Sequence, residues 1–346
     1  MNKIKFPIII LALIIGSIIT LCFCISVGTL KIPIVDTYKV ILNYVFFTDY
    51  EVDSTLSGVV WKIRLPRVLL AFIIGAGLAL CGVIMQAVVQ NPLAEPYLLG
   101  ISSGGYLGAT IFIILGSSFV GILGSIGLPF FSFIGAIFAT FSALFLATYK
   151  SSMTTTKLIL SGTIINAACS AAANFIMALS GTDSSVARIT FWMMGSLTSA
   201  KWDKLLLPAL LVFVCSCFFI TQFRNLNTML QGDEAAITLG ININFYRKTY
   251  LLIIALLTGV LVSTSGIIGF VGLIIPHISR SMIGADHRRL VPVAILTGGL
   301  FLMIVDALSR TVVENTELPI GIFTAIVGAP FFAYIMIKKN YNYSSR

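Results

Sequence analysis

The chain has 346 residues, length enough for two soluble domains, but 58% of them are hydrophobic and 10% charged, with a mean hydropathy of +1.02. That balance excludes a water-soluble globular protein and leaves no length for a separate catalytic domain; it describes an all-α polytopic membrane protein. The formal net charge of +9 then bears on orientation in a bilayer, and no nucleic-acid partner is expected.

Apolar runs of about twenty residues recur along the chain without the alternation of outer-membrane barrel strands, so the spanning elements are expected to be helices. The first run, 7–30, is longer than the apolar part of a signal peptide and no small-residue cleavage site follows it, so it reads as a span. Further runs lie near 66–90, 97–115, 126–148, 158–180, 205–222, 249–283, 290–309 and 318–337. All six cysteines fall within apolar segments and none forms a CxxC pair, which reads as buried free thiols rather than zinc or redox sites.

Lys3 and Lys5 open the chain and Lys338 and Lys339 close the last run, so the positive-inside rule places both termini in the cytoplasm and requires an even number of crossings. The run 249–283 is the one to divide, at "STSG" (263–266), because Arg247, Lys248 and Arg280 flank it on both sides. Ten spans result, with 246–264 and 267–283 replacing the long run, and 223–245 becomes a cytoplasmic loop. The inside then carries thirteen basic against four acidic residues and the outside nine against eight.

In chain order, "WKIRLPR" (61–67) sets Lys62, Arg64 and Arg67 at the outer mouth of the second span, with Arg310 at the outer end of the ninth. Two readings stand: anchors that snorkel to the headgroups, or a cationic rim that captures carboxylates of a soluble partner. "SGTIINAACSAAANF" places Gly162, Asn166, Ser170 and Asn174 at four-residue steps on one helical face, which suits either helix packing or the wall of a wet pathway. The loop "QFRNLNTMLQGDEAAITLGININFYRK" (222–248) has the spacing of one or two short amphipathic helices broken at Gly232 and Gly240, suited to an apolar groove on a cytoplasmic partner. Pro and Gly interrupt "NPLAEP" (91–96), "SGIIGFVGLIIPHISR" (265–280) and "ELPIGIF" (317–323), as tolerated where protein or a water-filled cavity satisfies the freed backbone.

Other patterns carry no chemistry. "GISSG" (100–104) opens a membrane helix and has no strand before it, "GAGLAL" (75–80) is a small-residue helix face, and the two histidines do not make a metal site. No GxxxxGK[ST] phosphate loop occurs, so ATP is not expected to bind this chain in that way.

Together, "RLPRVLLAFIIGAGLALCGVIMQAVVQNPLAEPYLLGISSGG", "GDEAAITLG", "GFVGLIIPHISR" and "ELPIGIFTAIVGAPFF" resemble the permease subunits of bacterial ABC importers for iron-siderophore, haem and cobalamin. The resemblance implies a type II importer in the cytoplasmic membrane: two copies of a ten-span permease, two cytoplasmic ATPase subunits holding ATP and magnesium, and an extracytoplasmic binding protein delivering a metal chelate. This chain would then carry no cofactor and no catalytic residue. It further implies that Arg64, Arg67 and Arg310 receive acidic residues of the binding protein, and that Gly232, Asp233, Glu234, Ala235, Leu239 and Gly240 belong to the element seated in the ATPase. Asn166, Ser170 and Asn174 would line the pathway, and Thr154 and Thr155 would close its cytoplasmic gate. A ferric siderophore is the expected cargo, with cobalamin or haem as the alternatives. A carrier driven by an ion gradient is the reading from another class; it would need a buried carboxylate, and Asp306 alone comes near.

Overall fold

The computed structural model describes residues 5–28, 30, 32–116, 126–150, 153–180, 182–313 and 316–338, and within them every regular element is helical. Fourteen helices follow in order among the described residues. They are α1 Lys5–Ser26, α2 Ile34–Phe46, α3 Ser54–Val89, α4 Ile101–Leu115, α5 Gly127–Thr148, α6 Thr155–Ser180, α7 Asp183–Met193 and α8 Trp202–Thr221. After them come α9 Phe223–Met229, α10 Asp233–Thr238, α11 Ile243–Ser265, α12 Val271–Ile283, α13 His287–Ser309 and α14 Ile320–Lys338. Seven of these are long and apolar enough to cross a membrane, and three shorter apolar helices (Ile101–Ile114, Val271–Ile283 and Ile320–Ile335) coincide with the remaining expected runs.

Helix α3 is the axis of the bundle. Within the best apolar window of its 36 residues, 83% are buried, and α1, α8, α9, α11, α12 and α13 all pack on it. Its small residues explain why so many neighbours fit. A Cβ on Gly75 would collide with the carbonyl of Gly298 in α13, and one on Gly82 with the carbonyl of Gly272 in α12, so these backbones touch directly. The α4–α5 hairpin closes in the same way at Gly104 against Gly135.

Helix α3 begins at Ser54, well before the expected start at 66, with Asp53 capping the amides of Thr55 and Leu56 at 2.8 and 3.1 Å. Those two backbone bonds hold the Asp53 carboxyl below its usual range. A single π turn at Val60–Arg64 interrupts it; Pro66 has no N–H to give, and Leu65 bonds back to Val60. Tyr44 stacks on Trp61 with centroids 4.3 Å apart, and Trp202 donates its indole N–H to the Trp61 carbonyl at 2.9 Å. This aromatic group marks one end of the bundle, called here the arginine end.

The division of the run 249–283 falls where expected: α11 stops at Ser265 and Gly266 turns the chain with φ +71. Two helices fall outside the expected set, α2 and α7. Both are too short for a search keyed to twenty-residue apolar runs, and both present polar and apolar residues in alternation around the helix.

Candidate functional site

The sequence-derived residues gather in three places. Arg64 and Gln90 are 26 positions apart along α3 and its C-cap, roughly 40 Å at 1.5 Å per residue, so the first two places lie at opposite ends of the bundle.

At the arginine end, Arg64, Arg67 and Arg310 do converge, but they are only 4%, 5% and 4% exposed and do not form the open cationic rim that was expected. Arg64 donates to the carbonyls of Ile25 at 3.1 Å and Ser26 at 2.9 Å, and also to that of Leu30. Arg310 donates to Cys24 and Val27 carbonyls at 3.1 and 3.0 Å. These are the last turn of α1 and the residues just beyond it, whose carbonyls have no partner within the helix and carry the negative end of its dipole. Arg67 donates from Nε to Asp306 and from Nη1 to Glu317, both at 2.8 Å, while Arg310 Nη2 lies 3.1 Å from the second Asp306 oxygen. Helix α3 starts a full three turns earlier than its apolar run, which carries these arginines inside the bundle. Lys62, by contrast, is exposed.

At the other end, the loop forms two short helices as its spacing suggested, with breaks at Gly232 (φ +104) and Gly240 (φ +79), torsions suited to glycine. Ala236 is fully buried beneath α10, whereas Ile237 and Leu239 are 64% and 65% exposed; Glu234 is exposed and Ala235 half-buried. Asp233 opens α10 and is held by Arg247 at 2.8 Å and by Gln90 Nε2 at 2.7 Å. The hydrogen bond from Arg247 keeps its carboxyl below the usual range. On α9, Asn227 donates to Asp286 at 2.8 Å and accepts from the His287 amide at 2.9 Å, fastening that helix to the start of α13. Near this end Thr154 caps α6 through the Lys157 amide, and Thr155 donates to the Val89 carbonyl at 3.3 Å.

The third place is a cavity of about 340 Å³ between α4, α6 and the 3-10 turn Pro96–Leu99. Asn91 nucleates the bend that leads into it by accepting from the Leu93 amide at 2.9 Å, and Gly100, at φ +81, passes the chain on to α4. The small-polar stripe of α6 divides its work. Gly162 meets the Leu98 carbonyl in backbone contact, Asn166 and Ser170 line the cavity, and Asn174 accepts from Tyr106 at 2.7 Å. Asn166 accepts from Ser103 at 2.6 Å. Glu95, Ser102, Ser103 and Tyr106 complete the polar wall. Sequence reading missed these four; only the Pro/Gly breaks around 91–100 pointed there.

The chain as a whole is similar to known proteins. Residues 8–338 match the FecCD transport family. The hemin transport system permease protein HmuU of Yersinia pestis is 37% identical over 81% of this chain and 84% of its own length. The cobalamin import system permease protein BtuC of Halobacterium salinarum is 35% identical over 83% of this chain and 75% of its own. A solved structure described as an inward-facing conformation of a metal-chelate type ABC transporter superposes with a TM-score of 0.82 at 32% identity, covering 96% of this chain and all of the other.

Proposed function

Because the chain belongs to the FecCD transport family and is an ABC importer permease, we propose that it carries a ferric siderophore across a bacterial cytoplasmic membrane, driven by ATP hydrolysed on a separate subunit. The observation that carries this reading is the 0.82 superposition on a metal-chelate type transporter, together with a polar cavity set between the two ends. Haem or cobalamin is the second reading, favoured by the cargo named for the two relatives.

In this reading the three shorter apolar helices also cross, giving ten spans with both termini inside. The arginine end faces outward to a binding protein, and α9 and α10 seat in one of two ATPase subunits that bind ATP and magnesium. The exposed Ile237 and Leu239 supply the apolar contact such seating needs. A second copy of the chain completes the pathway along α6, where the exposed Leu160, Ile164, Phe175 and Leu179 form an apolar face. Docking carboxylates at the arginine end would meet Lys62 first and reach Arg67 by competing with Glu317, which is itself part-exposed. Closure of the ATPase pair would displace α9 and α10, and Thr154 and Thr155 would open or shut the inner mouth.

The test is uptake into vesicles holding the permease with its ATPase and binding protein, comparing ferric hydroxamate, ferric catecholate, hemin and cobalamin. ATP-dependent entry of a ferric chelate is expected. Entry of hemin or cobalamin alone would replace the cargo, and entry driven by an ion gradient without the ATPase would overturn the importer itself. Asp306 gives such a carrier little to work with, since it lies between Arg67 and Arg310.

A further inference from the structure

We propose that Arg247 is the positioning residue that ties the α9–α10 loop to the turn at 153–155, so that displacement of one displaces the other; this rests on the reading of the loop as the ATPase-seated element. Arg247 stands in the first turns of α11 and is 2% exposed. Its guanidinium meets three separate stretches of chain. Nη2 and Nη1 reach the two oxygens of Asp233 at 2.8 and 3.2 Å, Nε donates to the Val88 carbonyl at 3.3 Å, and Nη1 also reaches the Met153 carbonyl at 3.4 Å. One rigid planar group thus joins the first residue of α10, the end of α3 and the first residue of the turn at 153–155. Gln90 adds a parallel tie, donating to Asp233 at 2.7 Å and to the Met229 carbonyl at 2.9 Å.

Helix α9 is fastened separately, through Asn227 to the start of α13, and past Asp233 helix α10 buries only Ala236. Ile237, Leu239 and Gly240 are exposed, and a Cβ at Gly232 or Gly240 would touch nothing within 4 Å. The polar route for a push on α10 into the body of the protein therefore runs through Asp233, and the next groups along that line are Val88 and Met153. The bland alternative is an arginine that only satisfies carbonyls at the end of α3, as buried helix ends require. That role would leave the motion of the turn independent of Asp233.

The experiment places spin labels at Gln231 and Thr156, both exposed, in the complete transporter, and follows their separation as ATP binds. In the parent the two sites are expected to move together, with little change in separation. In Arg247→Gln and in Asp233→Asn the separation should widen on ATP binding, with uptake down about tenfold while ATP hydrolysis continues. The double variant should lose no more than either single one. Asp233 is part-exposed, so Asp233→Asn leaves the carbonyl contacts of Arg247 in place and keeps the test informative where Arg247→Gln misfolds. An unchanged separation in Asp233→Asn, or losses that add in the double variant, would overturn the linkage while the ATPase reading stands. A parent chain with which no ATPase copurifies would bring down both.

Discussion

Arg67 and Asp306, 239 positions apart in the chain, meet at 2.8 Å with the aspartate fully buried and the arginine nearly so. Arg310 approaches the other oxygen of the same carboxylate, so α3 and α13 are joined at this end by one acid shared between two bases. The pair lies within the packed end of the bundle, beside the carbonyls of α1 that Arg64 and Arg310 bind. Removing one partner strands the other without water.

Asp306→Asn should therefore destabilise the detergent-solubilised protein by about 3–5 kcal/mol, the usual cost of breaking one side of a buried pair. Thermal unfolding followed by tryptophan fluorescence would register it. Charge reversal at Arg64, Arg67 or Arg310 should likewise lower the yield of folded protein, so a loss of docking in those variants is ambiguous. Lys62→Glu is the cleaner probe, since its side chain is exposed. It should weaken binding-protein capture in a salt-dependent way with the melting temperature unchanged.

Gly82→Val should fail to reach the membrane in folded form, because a side chain there enters the backbone of Gly272. Overpacking of this kind costs about 1–3 kcal/mol where neighbours can shift, and here the neighbour is main chain. Gly232→Ala, with open space around it but φ +104, should instead be expressed normally and loosen only the start of α10. Expression and gel-filtration profiles separate the two outcomes.

The Asp233 carboxyl titrates below its ordinary range because Arg247 bonds to it. A depressed carboxylate adds stability above its unfolded value, near 3.9, and loses it as pH falls through the lower folded value. The protection factors of the amides over 223–242, which remove the intrinsic pH dependence of exchange, should accordingly be flat from neutral pH down to the ordinary carboxylate range and fall only below it. Asp233→Asn should show low protection at every pH.

Asn166→Leu should cut ATP-dependent uptake about tenfold with the ATPase still bound, since it removes one of the two acceptors of Ser103 and adds apolar bulk to the cavity wall. Leu239→Asp should lose uptake by a different route, through the ATPase contact. Its side chain is exposed, so stability should stay within about 0.5 kcal/mol while copurification with the ATPase is lost.

The apolar runs, the break at Ser265 and Gly266, and the two glycine-bounded helices of the loop were legible because each is written in adjacent residues. A helix length, a left-handed torsion or a small-residue face needs no distant partner to be recognised. Arg64 and Arg310 were not legible in the same way: they engage backbone carbonyls of α1 and the residues just beyond it from 34 to 286 positions away, and a carbonyl leaves no trace in the sequence. Ser103 and Tyr106 were missed in the cavity for a related reason, since they come from α4 and only the fold brings them against Asn166 and Asn174. Arg247 was counted as a flanking charge for orientation, and nothing local announces its three attachments.

The glycine contacts along α3 bear on where the molecule can deform. Sliding of packed helices depends on side chains that swap rotamers as they pass, and at Gly75 with Gly298 and Gly82 with Gly272 there are none to swap. The seams joining α3 to α12 and α13 behave as welds, making a stator of the middle of the bundle. Among the described helices, α6, α7 and α14 make no such glycine contact with α3.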